Sequence, residues 1–132
     1  PPATSINRAG MADDSWDNGK GETVTIEAGT TILVMPWTLH RHTKLWDRPG
    51  AYIPSRFLPE NRGSIDRYQY LPFGVGPRIC IGATFALQEA VIILATLLAR
   101  FRFTPVPGRD PKPVMIITLR PEGGVWLQAE PV

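Results

Sequence analysis

The sequence contains few residues of the kinds that stabilise small domains through disulfides or metals. Its 132 residues include one cysteine, Cys80, and two histidines, His40 and His42. One cysteine excludes an intramolecular disulfide framework, and so small a set of ligands argues against a structural zinc site. No run of 18 apolar residues is present, and no charged-then-apolar leader opens the chain. We therefore expect a soluble, cytoplasmic protein, with a membrane anchor upstream of Pro1 left open.

The chain also lacks a strong excess of charge. It has 14 Lys and Arg against 12 Asp and Glu, which leaves a net charge of +2. Because nucleic-acid binding calls for a clear basic excess, we expect no nucleic-acid partner. The second half is the more basic one and could face an acidic protein surface, although an ordinary solvated face is the commoner reason for such a pattern.

Proline and glycine, with 14 and 12 residues, occur along most of the chain but are absent from residues 83–99. This Ala-, Leu- and Ile-rich run predicts a long helix, placed at 83–100, that is largely buried. The sequence as a whole predicts an α+β fold. Its parts are a β-rich segment at 1–37, a short helix and ordered coil at 38–72, a loop at 73–82, the long helix at 83–100 and C-terminal strands at 101–132.

Shorter elements are predicted from alternation and turn residues. Residues 23–26 and 31–35 predict a hairpin, whereas residues 1–20 show no regular pattern. A short helix is expected over 38–46, with Thr38 as its N-cap. The last two predicted strands, at 114–119 and 125–129, are expected to pair as a final hairpin.

Cys80 is the residue with the most suggestive surroundings. It precedes the predicted long helix, whose N-terminal N–H groups and partial positive charge favour a thiolate. Gly74, Gly76 and Gly82 permit positive φ and close backbone approach, and Arg78 adds a cation that can pair with a carboxylate. From these features alone, Cys80 could be a metal ligand, a nucleophile with a distant histidine as base, or an inert thiol.

The segment 73–82 reads FGVGPRICIG. It resembles the haem-binding signature of the cytochromes P-450, F-x-x-G-x-R-x-C-x-G, and continues with Ala86 where the helix of that family usually carries alanine. The flanking segments 27–30 and 39–42 resemble other family motifs in order and spacing, and Pro1-Pro2 resembles the segment after the family's E-x-x-R helix. The stretch 46–57 resembles "W.dP..F.PeRF", with Ser55 in place of the usual Glu and Tyr52 in place of a common Phe.

The resemblance implies specific roles for the matching residues. Cys80 would be the axial thiolate ligand of haem iron, and Arg78 and Arg8 would pair with the haem propionates. Phe73 would pack beside the sulfur, and Arg56 would complete a structural ion pair with the Glu and Arg of E-x-x-R, a motif that this sequence lacks. The residues expected around the cofactor are Phe73, Gly74, Gly76, Arg78, Cys80, Gly82, Ala86 and Arg8.

The resemblance also implies a function for the longer protein. The chain would be the C-terminal part of a mainly α cytochrome P-450 fold that binds haem b and inserts one atom of O2 into a hydrophobic substrate. A ferredoxin or flavin reductase would supply electrons, and in order and spacing the motifs are closest to the bacterial fatty-acid-hydroxylase and microsomal-like branch. The 132 residues alone are expected to be inactive. The alternatives are a non-catalytic haem-binding or sensing module and a peroxide-dependent relative.

Overall fold

A computed structural model describes residues 5–116 and 118–132, and it divides them into two units. Residues 5–70 form the N-terminal unit and residues 71–132 form the C-terminal unit. The predicted match at Pro1-Pro2 lies outside the described residues. The elements, in chain order, are β1 (Ile6–Ala9), β2 (Asp14–Asp17), β3 (Thr23–Ile26), β4 (Thr31–Val34), α1 (Pro36–Leu39), α2 (Pro59–Arg62), α3 (Ala83–Leu98), β5 (Phe101–Pro105), β6 (Pro113–Met115), β7 (Leu119–Pro121) and β8 (Leu127–Pro131), with 3-10 turns at Pro54–Phe57 and Gly76–Arg78.

The first four strands form two nested antiparallel pairs. Strand β2 pairs with β3, and the outer strand β1 pairs with β4. Between the two pairs, Gly10 N–H donates to Thr30 O at 2.9 Å, so the ladder continues through the junction. The prediction that residues 23–26 pair with residues 31–35 in a hairpin is therefore wrong, because each of these two strands has a different partner. The irregular chain predicted at 1–20 is also wrong, because this segment contains β1 and β2.

The first short helix begins earlier than predicted. Helix α1 starts at Pro36, and Met35, not Thr38, is its N-cap. The physical reason is that the φ of proline is already fixed near the helical value. Proline also has no N–H group, so none is left without a hydrogen-bond partner at the first helical position. The chain then continues through turns, in which Trp46 N–H donates to His42 O at 3.0 Å.

The core of the N-terminal unit is aromatic. Pro36 is fully buried, and Trp46 is only 7% exposed. The ring of Tyr70 lies 4.8 Å from the rings of both His40 and Phe57, and it meets Trp46 edge-on at 6.3 Å. Two of these rings come from the long coil predicted to be ordered, so this coil supplies part of the core.

Helix α3 forms the longest element of the C-terminal unit. It runs for 16 residues from Ala83 to Leu98, with Gly82 as its N-cap, and it contacts strand β5. The sequence predicted a largely buried helix, but none of its residues is buried here, and Phe85 and Val91 are 70% and 66% exposed. Among residues 5–116 and 118–132, no helix has the length and apolar character needed to cross a lipid bilayer.

The last strands do not pair as the sequence predicted. Strand β6 pairs with β7 in a short hairpin, whereas β8 pairs with β5. Val106 N–H donates to Trp126 O at 3.2 Å, and this bond extends the β5–β8 ladder by one step. The prediction of one hairpin from 114–119 and 125–129 is wrong because the second segment has the longer partner β5 available.

Candidate functional site

The loop before helix α3 is closed by backbone hydrogen bonds. Cys80 N–H donates to Phe73 O at 2.9 Å, which joins the two ends of the loop. Inside it, Ile79 N–H donates to Gly76 O at 3.0 Å. Gly74 and Gly76 adopt φ of 81° and 76°, in the left-handed region that other residues rarely enter. The glycines therefore produce the reversal of direction that brings Cys80 back toward Phe73.

The Cys80 thiol is exposed at the end of this loop. Gly82 lies beside it, and a methyl group placed on Gly82 would be 3.8 Å from the Cys80 sulfur. Positive φ, which the sequence allowed at Gly82, is not used there, because this residue has φ −84° and caps helix α3. Gly82 thus leaves the sulfur open on the side of the helix, and Gly74 and Gly76 supply the turns.

Cys80 also makes the connection to the helix. Its carbonyl oxygen accepts a hydrogen bond from Ala83 N–H at 3.2 Å, and Gly82 O accepts from Ala86 N–H at 2.9 Å. The first N–H groups of an α-helix lack partners within the helix and carry partial positive charge. Cys80 lies three residues before Ala83, the first residue of this helix.

The residues close to Cys80 in the sequence have apolar or cationic side chains. Ile79 and Ile81, its direct neighbours, are 56% and 104% exposed. Arg78 is exposed in the 3-10 turn, and Phe73 is partly buried at the start of the loop. An exposed sulfur, exposed apolar groups and a free-standing guanidinium suit a flat apolar ligand that carries a metal and peripheral carboxylates. The donor set therefore fits haem.

The other two arginines of the predicted site lie in the N-terminal unit. Arg8 is on β1, opposite Ile32, and its guanidinium donates to Asn7 O at 2.8 Å. The Arg56 guanidinium donates to the carbonyl oxygens of Asp47 and Arg48, the second at 3.2 Å. The structure thus ties Arg56 to its own unit, and the haem contact of Arg8 and the ion pair of Arg56 stay predictions.

The histidines also belong to the N-terminal unit. His40 stacks on Tyr70, and burial, with the Arg41 guanidinium adding to it, lowers the pKa of His40 to about 4. Such a histidine is held neutral at neutral pH.

Sequence reasoning did not identify a polar cavity of about 350 Å³ in the N-terminal unit. Asn61 donates from Nδ2 to Ser55 O at 2.7 Å at its edge, and the Gln69 amide donates to Leu45 O. No sequence pattern indicates the cavity, since its walls come from separate turns. Its lining residues are Leu45, Trp46, Asp47, Ser55, Arg56, Asn61, Ser64, Ile65 and Gln69.

Comparison with known proteins identifies the family. The profile described as Cytochrome P-450 matches residues 1–128. The chain is 38% identical over all of its length to cytochrome P-450 4F1 of Rattus norvegicus and to leukotriene-B4 omega-hydroxylase 3 of Mus musculus. Over 81% of its length it is 38% identical to cyclooctatin synthase of Streptomyces melanosporofaciens. It spans about 24% of the first two proteins and 25% of the third. The chain belongs to the cytochrome P-450 family of haem-thiolate oxidoreductases.

Proposed function

We propose that this chain is the haem-binding portion of a cytochrome P-450 monooxygenase. The observation that carries the proposal is the loop 73–80, which is closed at its base by the bond from Cys80 N–H to Phe73 O and leaves the only thiol of the chain exposed. Family membership supports a haem cofactor, and the finer assignment to haem b follows from the resemblance of segment 73–82. The chain covers about a quarter of its relatives, so the activity proposed is that of a longer protein.

In this proposal, the Cys80 thiolate would be the protein ligand of the haem iron and the catalytic group of this chain. Its position before helix α3 stabilises the negative charge of the sulfur. Arg78, on the exposed side of the loop, pairs with a haem propionate, and Arg8 pairs with a second one. Phe73 shields the sulfur from water, and Gly82 leaves room beside it. The residues that contact the cofactor are Phe73, Gly74, Gly76, Arg78, Cys80, Gly82, Ala86 and Arg8.

The thiolate-ligated haem supplies, when bound, the chemistry that cleaves the O–O bond of O2 and transfers one oxygen atom to the substrate. The residues of this chain would hold and orient the cofactor and exclude water from the Cys80 sulfur. Arg56, which already anchors two backbone carbonyls, pairs with the Glu and Arg of the E-x-x-R motif in the longer protein.

The substrate proposed is a hydrophobic small molecule, and the electrons come from a ferredoxin or a flavin reductase. The name of one relative, a leukotriene-B4 omega-hydroxylase, supports a lipid-like substrate. We place the protein in the cytoplasm by analogy with the bacterial members of the branch that its motif order resembles, with a membrane anchor upstream of Pro1 left open.

The proposal is tested by the spectrum of the full-length protein, reduced and exposed to CO. Thiolate ligation gives a strongly red-shifted Soret band, and we expect Cys80→Ala to abolish this band. Ile79→Ala serves as the matched control, because it truncates the exposed side chain of a neighbour in the same loop and leaves the sulfur in place. An unshifted band in the unmodified protein, or the same loss in both variants, would contradict the proposal.

Turnover assays on the same full-length protein distinguish a monooxygenase from the two alternative functions. Oxidation of a lipid-like substrate that requires O2 and a reductase supports the monooxygenase. Turnover with peroxide alone identifies a peroxide-dependent relative, and a thiolate spectrum without any turnover identifies a haem-binding or sensing module.

A further inference from the structure

The tip of the β2–β3 hairpin contains an Asn-Gly pair, Asn18-Gly19, that has no role in the proposed haem site. Asn18 N–H donates to Glu22 O at 3.0 Å and closes the turn. Gly19 has φ +77°, and a Cβ on this residue would meet no atom within 4 Å. The residues of the tip are exposed, so water reaches this backbone freely.

The hydrogen bonds at the tip are arranged around the Asn18 side-chain amide. Its Oδ1 accepts from Lys20 N–H at 2.8 Å and from Glu22 N–H at 3.4 Å. Its Nδ2 donates to Glu22 Oε2 at 2.7 Å. Two backbone donors on one carbonyl oxygen polarise the carbonyl carbon and would stabilise negative charge that develops on the oxygen.

The next amide nitrogen along the chain has a base beside it. Gly19 N–H donates to Asp17 Oδ1 at 2.6 Å, the shortest of the side-chain bonds in this turn. A carboxylate within hydrogen-bond reach of a proton can remove that proton as a general base. Asp17, Gly19 N and the polarised Asn18 carbonyl thus form a base, a nucleophile and an activated electrophile within three consecutive residues.

We propose that Asn18 is a site of self-catalysed deamidation, in which Asp17 is the base and the Lys20 and Glu22 amides stabilise the oxyanion. Asp17 takes the proton of Gly19 N, and this nitrogen forms a bond to Asn18 Cγ. The bond from Cγ to Nδ2 then breaks, and ammonia leaves with the proton that Asp17 received. Water opens the resulting five-membered imide at one of its two carbonyls and yields aspartate or isoaspartate, without any oxidant or reductant.

The modification changes the hairpin because it replaces a donor by an anion. The Nδ2 group that donates to Glu22 Oε2 becomes a carboxylate oxygen, and two negative charges then face each other across the turn. Isoaspartate also lengthens the backbone at this position and interrupts the register that begins at the pair Asp17 and Thr23. The tip therefore changes irreversibly with the age of the molecule.

The test follows the full-length protein during incubation at neutral pH. Cleavage after Arg8 and Lys20 releases the peptide 9–20, which contains Asn18 and no other asparagine. Deamidation raises the mass of this peptide by about 1 Da, since NH2 is replaced by OH. Digestion in water enriched in oxygen-18 separates conversion during incubation from conversion during digestion.

Two matched variants isolate the role of the base. We expect Asp17→Ala to slow conversion about tenfold, the low side of what general bases contribute. Asp14→Ala removes the same charge from the same hairpin, where Asp14 Oδ1 accepts only from Ser15 N–H, and should leave the rate within about twofold.

A second measurement needs no variant. The unmodified protein should convert faster when folded than in urea, because only the folded turn holds the base and the two donors in place. The proposal is overturned by faster conversion in urea, by equal rates in Asp17→Ala and Asp14→Ala, or by an unchanged peptide after weeks.

Discussion

The two units of the chain differ in what their apolar side chains contact. In the N-terminal unit, Trp46 and Tyr70 pack within an aromatic cluster made entirely by residues 5–70. In the C-terminal unit, helix α3 is apolar over most of its surface and yet has no buried residue. A helix that is apolar all round is normally a core helix. The comparison shows that one unit contains its own core, whereas the described residues leave the apolar helix of the other unit unburied.

The largest expected effect is the loss of the aromatic core of the N-terminal unit. Trp46→Ala removes a ring that is 7% exposed and whose indole N–H donates to Leu39 O at 3.1 Å. We expect the free energy of unfolding of the full-length protein to fall by about 4 kcal/mol, measured by denaturant titration. Trp16→Ala is the control, because Trp16 is 48% exposed, and it should cost about 0.5 kcal/mol or less. Equal costs for the two variants would remove the distinction between core and surface tryptophan.

An intermediate effect is expected in helix α3. Ile92 is 56% exposed here, but the longer protein is expected to cover it, so Ile92→Ala should destabilise that protein by about 3 kcal/mol. Gln88→Ala changes a polar residue that lines, together with Ile92, a groove on the surface of α3, and it should cost about 0.5 kcal/mol or less. If Ile92→Ala has no larger effect than Gln88→Ala, the apolar surface of α3 is open in the longer protein, and the comparison between the units loses its basis.

The smallest effect concerns the pH dependence of the N-terminal core. Burial lowers the pKa of His40 to about 4, below its ordinary value of 6.5, so the unfolded chain takes up a proton more readily than the folded one. The stability contributed by neutral His40 is complete above pH 6.5 and decreases as the pH falls toward 4.

We therefore expect His40→Phe, which keeps a ring against Tyr70, to flatten the decrease in unfolding free energy between pH 6.5 and 4. His42→Phe should keep the slope of the unmodified protein, because His40 is still present. Denaturant midpoints measured across this range check the prediction, and a slope that responds only to His42→Phe would refute it.

The identities of neighbouring residues were sufficient to predict helix α3 and the loop that precedes it. The absence of Gly and Pro after Gly82 predicted a helix at 83–100, and α3 is found at Ala83–Leu98. The loop before it is predicted by the identity and spacing of Gly74, Gly76 and Cys80, since glycine permits the positive φ that two of these positions adopt.

Strand partners could not be predicted in the same way. Polar and apolar residues alternate in strand β3, and this pattern is equally compatible with pairing to β4 or to β2. In the structure β3 pairs with β2, and β4 pairs with β1. The choice depends on the junction where Gly10 bonds to Thr30, twenty residues away along the chain. Likewise, no local pattern predicts that the described residues leave α3 exposed, and the cavity that Arg56 lines depends on the meeting of several turns.

The hydrogen bond from Cys80 N–H to Phe73 O has a consequence for protein engineering. Both atoms belong to the backbone, as do the atoms of the bond from Ile79 N–H to Gly76 O. The side chains of Pro77 and Ile79 take no part in these bonds, and both are exposed. We therefore expect that exposed side chains at positions 77 and 79 can be exchanged for others while these backbone bonds continue to set the position of Cys80.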